Sequence, residues 1–116
     1  MPLLKLQTSV SVSEGKRQEL LKALSGIVTE CIGKPEQYVM VTITQGPIMM
    51  SGEQNNAAFV DVRSIGGLNR DVNLNISRKV CSLLDESLGI SPEKVYINFW
   101  DIPAGNWGWN GKTFGS

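Results

Sequence analysis

Pro35 and Pro92 stand 57 positions apart (92 − 35), and what surrounds the one surrounds the other. Carried along the chain, that offset puts Glu36 on Glu93, Leu24 on Cys81, Ile27 on Leu84, Cys31 on Leu88 and Met40 on Ile97. Two copies of such a unit fill nearly all of the 116 residues. A chain built from two copies of one small unit is confined to the folds those copies make together. The spacing therefore predicts one domain over 1–116, with pseudo-repeats of roughly 2–57 and 58–116.

The content of the unit is legible in the first copy. Leu3, Leu4 and Leu6 around Lys5 read as a strand entering a core. Ser9 to Ser13 is a polar connection, and Ser11 stands three residues before Glu14 in capping-box spacing. Leu20, Leu21, Leu24, Ile27, Val28, Cys31 and Ile32 keep the i, i+4, i+7, i+8 spacing of one buried helical face, and Gly33 ends it. The β-branched run from Tyr38 to Thr44 reads as a second strand, and Gly46 to Asn56 as loop. In the second copy Phe59 to Ser64, the apolar series from Val72 to Leu88, and Val95 to Asp101 take the same three roles.

A strand, a crossover helix and a parallel strand form a right-handed βαβ unit. Two in tandem give a four-stranded sheet with both helices on one face, an α/β (α+β) layout of the split-βαβ, ferredoxin-like kind. The other sheet face is then bare. Val39, Val41 and Ile43 against Tyr38 and Met40 make the second strand apolar on both sides, so something outside the subunit is expected to cover that face.

Charge narrows the partners. Eleven basic residues balance eleven acidic ones, which leaves no electrostatic footprint for nucleic acid or an anionic membrane. No charged region followed by an apolar stretch opens the chain, and no apolar run is long enough to cross a bilayer. The expectation is a cytoplasmic protein, or one released without a signal peptide. Cys31 and Cys81 fall inside apolar helical patterns and form no metal or redox motif.

The chain contains no His, so a near-neutral base for proton transfer must be found elsewhere. Removal of Met1 would leave Pro2 as a terminal secondary amine. Such an amine titrates near ~7.7–8.0 in water and falls toward neutrality when desolvated. Pro is also common at position 2 of chains that never use it. Arg63 to Asn69 runs from a strand into the second helix, with Asn69 as N-cap. Gly66-Gly67 there either admits an anion to backbone N–H groups or is a plain turn. Lys34 either caps the last carbonyls of the first helix or supplies a cation for a carboxylate. Six of the eight aromatic residues lie in the last 21 positions, where Trp107-Gly108-Trp109 serves as a packing anchor, a pocket wall, or both.

These residues resemble the tautomerases related to macrophage migration inhibitory factor and D-dopachrome tautomerase, over the whole chain. The likeness rests on Pro2 behind Met1, Gly33-Lys34-Pro35-Glu36-Gln37-Tyr38, Ser64-Ile65-Gly66-Gly67, Ile90 to Asn98, Asn106 to Asn110, and Thr113-Phe114. The resemblance implies a homotrimer with three active sites at subunit interfaces, and keto–enol tautomerisation of phenylpyruvate-like 2-oxo acids or their enols. It implies no metal or cofactor. Carried over by position, Pro2 is the base, while Lys34 and the Ile65 N–H hold the substrate carboxylate and polarise the carbonyl. Tyr38, Trp107 and Trp109 line the pocket, and Tyr96 and Asn98 reach it from the neighbouring chain.

Three departures follow. Ala57-Ala58-Phe59-Val60 stands where cytokine-type members carry Cys-x-x-Cys, which removes the dithiol chemistry attributed to them. Trp107 replaces a small branched residue and narrows the rim. The Arg and Asp that cytokine members are thought to present to a receptor are replaced, roughly at Val12 and Gly46. Two other classes remain open from sequence: a signalling ligand with a vestigial site, and a binding module that senses a small acid.

Overall fold

A computed structural model describes residues 1–115. In chain order the elements are β1 (Leu3–Thr8), α1 (Glu14–Ile32), β2 (Met40–Gln45), β3 (Met49–Met50), β4 (Glu53–Gln54), β5 (Ala58–Ser64), α2 (Arg70–Leu88), β6 (Val95–Asp101), β7 (Gly108–Trp109) and β8 (Lys112–Thr113). The main sheet runs β2-β1-β5-β6. β1 is parallel to β2 and β5 to β6, while β1 and β5 are antiparallel, so two βαβ units meet back to back as the repeat predicts.

Alternation along the strands sends Leu4, Leu6, Val60 and Val62 to the helices. There they meet Leu24 and Val28 of α1 and Ile76, Val80 and Leu84 of α2, all buried. Truncating such a side chain to Ala costs about 2–5 kcal/mol through lost transfer energy and the cavity left behind. Both helices begin at a polar N-cap. The Ser13 hydroxyl accepts from the Lys16 N–H, and Asn69 Oδ1 accepts from the Val72 N–H at 2.8 Å. Both end at a left-handed glycine, Gly33 or Gly89. No helix among the described residues is long and apolar enough to cross a membrane.

Several expectations shift here. The N-cap of α1 is Ser13, which leaves Glu14 as the first helical residue and no capping box with Ser11. The helices repeat at 56 rather than 57 positions, since Ser13 matches Asn69 and Gly33 matches Gly89, so Leu24 falls on Val80 and not on Cys81. One extra residue before Pro92 restores 57, and the prolines alone conceal the slip. Tyr38 belongs to a 3-10 turn, Glu36–Tyr38, with β2 starting two residues later.

The segment read as loop holds the β3–β4 hairpin, and the C-terminal stretch folds into β7–β8. Each turns on two left-handed residues, Ser51-Gly52 and Asn110-Gly111, the pair that a type I′ turn requires. The unit is therefore βαβ followed by a hairpin, used twice.

The bare sheet face is not the apolar surface expected. Register and alternation make it mixed, with Lys5 and Gln7 of β1, Thr42 and Thr44 of β2, and Asp61, Arg63 and Asn98 of β5 and β6 on it beside the apolar Leu3 and Phe59, around Met40, Tyr96 and Trp100. Those last three are exposed at 62%, 66% and 51%. The case for a covering partner rests on these large exposed side chains, because Val41 and Ile43 pack toward the helices.

Candidate functional site

The start of β1 is held on both sides. Leu3 pairs with Met40 and with Arg63, and the Met40 N–H donates to the Pro2 carbonyl at 3.0 Å. Pro2 is thereby buried at the mouth of a cavity of about 540 Å³. The C-terminal hairpin roofs it. Trp109 stacks on Phe114 with centroids 5.6 Å apart and meets Tyr38 edge to face at 6.5 Å, while Trp107, half-buried, closes the side. Stacked and edge-to-face geometries suit aromatic quadrupoles, so the wall is stiff as well as apolar.

Electrostatics at this mouth favour a neutral amine. Burial, and then the charge of Lys34, hold the α-amino group of Met1 below its ordinary value of 8.0. Lys34 follows the left-handed Gly33 at the end of α1 and takes part in no ion pair among the described residues. The turn after β5 fixes its surroundings. Gly67, at φ 79°, packs so closely on the end of α1 that a Cβ there would stand 2.7 Å from Ile32 Cγ2 and 3.5 Å from Lys34 Cε. This is the close approach that Gly66-Gly67 permits, with a helix end as the neighbour. The Gly66 N–H donates to Asp101 Oδ1 at 3.0 Å.

Of the residues marked from sequence, Pro2, Tyr38, Trp107 and Trp109 line the cavity together. Lys34 stands behind it, near enough to influence the terminal amine. Ile65 is half-buried just beyond β5 and outside the lining. Tyr96 and Asn98 lie on the bare face of β6, opposite Phe59 and Asp61, and do not enter this cavity within their own chain.

Sequence reasoning missed Arg63, Met40, Ile102 and Asn106 among the lining residues. Met40 and Arg63 reach it through strand register, Ile102 lies just past the end of β6 and Asn106 closes the 3-10 turn before β7, placements that local pattern does not reveal. Arg63 is its only charged lining side chain among the described residues, and no Asp or Glu lines it. A second cavity of about 730 Å³ lies at the other end of the sheet, bounded by Ser9, Asn55, Asn56, Ser91 and Lys94. Being larger does not make it the better candidate, because nothing aromatic or terminal faces it. No cluster of His, Cys, Asp or Glu that would hold a metal ion occurs among the described residues. Burial pushes the thiols of Cys31 and Cys81 upward, away from the reactive thiolate.

Residues 1–115 match the family profile described as macrophage migration inhibitory factor. Macrophage migration inhibitory factor of Rattus norvegicus is 40% identical over 98% of this chain and 99% of its own. The crystal structure of the homologue from Prochlorococcus marinus is 39% identical with a TM-score of 0.91, covering 97% of this chain and 98% of that one. The corresponding structure from Entamoeba histolytica is 28% identical with a TM-score of 0.92, over 97% of each chain.

Proposed function

From the premise that the chain belongs to the macrophage migration inhibitory factor family, within the tautomerase superfamily, we propose that it is a cofactor-independent keto–enol tautomerase of phenylpyruvate-like 2-oxo acids. The observation that carries this reading is the buried Pro2 at the mouth of an aromatic cavity, where partial burial and Lys34 lower the Met1 amino group below its ordinary value. Removing Met1 moves that amine one residue inward, onto Pro2, which is already buried.

In this reading the neutral Pro2 nitrogen takes a proton from C3 of the keto acid, and the electron pair of that C–H bond passes into the C2–C3 bond while the carbonyl oxygen gains the charge. Lys34 and the Ile65 N–H hold the carboxylate and the developing oxyanion, where preorganised donors lower the barrier most. Protonation of that oxygen gives the enol, and the reverse sequence returns the keto acid. Tyr38, Trp107 and Trp109 pack the flat ring of the substrate. Tyr96 and Asn98, unused within their own chain, complete the pocket of a neighbour in a homotrimer.

The test is phenylpyruvate enol–keto conversion by the processed protein beside a Pro2→Ala variant. Positioned acid–base groups contribute about 10²- to 10⁴-fold, so the variant is expected to lose that much in kcat/KM. Equal rates would remove Pro2 from the chemistry.

A further inference from the structure

Arg63 stands opposite Leu3 in the sheet and contributes the cavity's one charged lining side chain among the described residues. Its guanidinium is held twice. Nε and Nη2 both donate to Asp61 Oδ2, at 3.2 and 2.9 Å, and the Cζ lies 5.6 Å from the centroid of Trp100. Asp61 is itself 7% exposed, and its Oδ1 is buried without a hydrogen-bond partner. A nearly buried carboxylate on one side and an indole face on the other fix a side chain that otherwise has many rotamers.

A guanidinium offers two edges to planar anions. Asp61 occupies the Nε–Nη2 edge, and Nη1 makes no hydrogen bond among the described residues. The free end keeps donors in a fork suited to a second carboxylate. Lys34 influences the amine from behind the cavity, so the site has two separate cations and no lining acid. One carboxylate uses only one of them.

We propose that Arg63 binds a second, distal acidic group, so that the site prefers 2-oxo dicarboxylic acids to 2-oxo acids with an uncharged tail. The proposal rests on the tautomerase reading above. Arg63 acts as a specificity residue, and Asp61 is the positioning residue that holds it.

The experiment compares deuterium exchange at C3 of 2-oxoadipate and of phenylpyruvate, followed by NMR in D2O, for the wild type, Arg63→Gln, Arg63→Lys and Asp61→Asn. Exchange with Pro2→Ala is subtracted as background. Arg63→Gln should raise KM for the diacid about ten- to a hundredfold with little change in kcat, and lower the diacid-to-phenylpyruvate ratio of kcat/KM at least tenfold. Arg63→Lys should recover part of that ratio, as a point charge without the fork. Asp61→Asn should move the ratio the same way through KM.

An unchanged ratio, or an equal loss on both substrates, overturns the proposal. Should the wild type exchange neither acid above background, the tautomerase reading fails by itself. Calorimetric binding of 2-oxoadipate then decides on Arg63: affinity lost in Arg63→Gln upholds the anion site, and affinity retained refutes it.

Discussion

The two halves share a plan and differ at one end each. In both, a strand leads through a helix, a left-handed glycine and a 3-10 turn to a parallel strand and a hairpin. Even the stitching repeats, since the Gly46 N–H donates to the Thr8 carbonyl at 3.0 Å as the Ile102 N–H donates to that of Ser64 at 2.9 Å. Each half also opens at a cavity, lined in part by the hairpin of the other half.

At the first cavity stand Pro2, Lys34 behind it and an aromatic hairpin. At the second stand Asn55 and Asn56, with polar Gln54 from the β3–β4 hairpin and, in the place of Lys34, the fully buried Ile90. The lesson is physical. A chain has one N-terminus, so a duplicated fold can place an amine base at only one of its two equivalent ends, and the strand that begins at Ala58 brings an amide to the other.

The largest effect in that comparison concerns how the first end is built. Gly67→Ala puts a Cβ into Ile32 at a left-handed φ and is expected to destabilise by about 3 kcal/mol. Gly66→Ala, with the same sign of φ and open space around it, should lose nearer to 1 kcal/mol. Denaturant midpoints at unchanged slope would measure both, and equal losses would mean that the contact with α1 is unimportant.

Next in size is Lys34→Ile, which copies Ile90 of the second half. Loss of a charged hydrogen bond of about 1.5–3 kcal/mol predicts a drop in kcat/KM of roughly ten- to a hundredfold. The pH profile should move as well. In the proposed mechanism the reactive form is the neutral amine, so activity should rise with pH through a pKa that burial and Lys34 lower. Removing the positive charge lifts that pKa part of the way toward 8.0, because burial remains, and the midpoint shifts upward. A midpoint that stays put would assign the depression to burial alone.

Smaller still is the rim. Trp107→Val should improve turnover of bulky bicyclic substrates such as dopachrome esters over phenylpyruvate, by about two- to tenfold. An unchanged ratio would show that Trp107 serves only to hold the hairpin. No change at all is expected in insulin reduction, which should be absent in the wild type. Cys31 and Cys81 have raised thiol pKa values, and Ala57 to Val60 carries no sulfur.

Much of the fold was legible because it is written in periodicity and punctuation. β6 has the bounds its pattern gives, and both helices stop at the glycines that must be left-handed. The helix register was not, since two prolines anchor an offset that one added residue changes. The second hairpin is legible, since Asn110-Gly111 between Trp109 and Lys112 is a strong type I′ signal, while Ser51-Gly52 in the first is a weaker one. The site was half legible. Pro2, Tyr38, Trp107 and Trp109, marked from sequence, line one cavity, but Arg63 faces it only because β5 runs antiparallel to β1 in one register, which a single sequence does not encode locally.

The most direct test of an amine base at one end of a duplicated fold is to compare protein with Met1 retained and protein beginning at Pro2, each verified by mass spectrometry, in phenylpyruvate tautomerisation across pH. Only the processed protein should turn over substrate, with kcat/KM rising through a pKa below the ordinary 8.0 of an amino terminus. Equal rates from the form in which Pro2 is an amide would contradict the account.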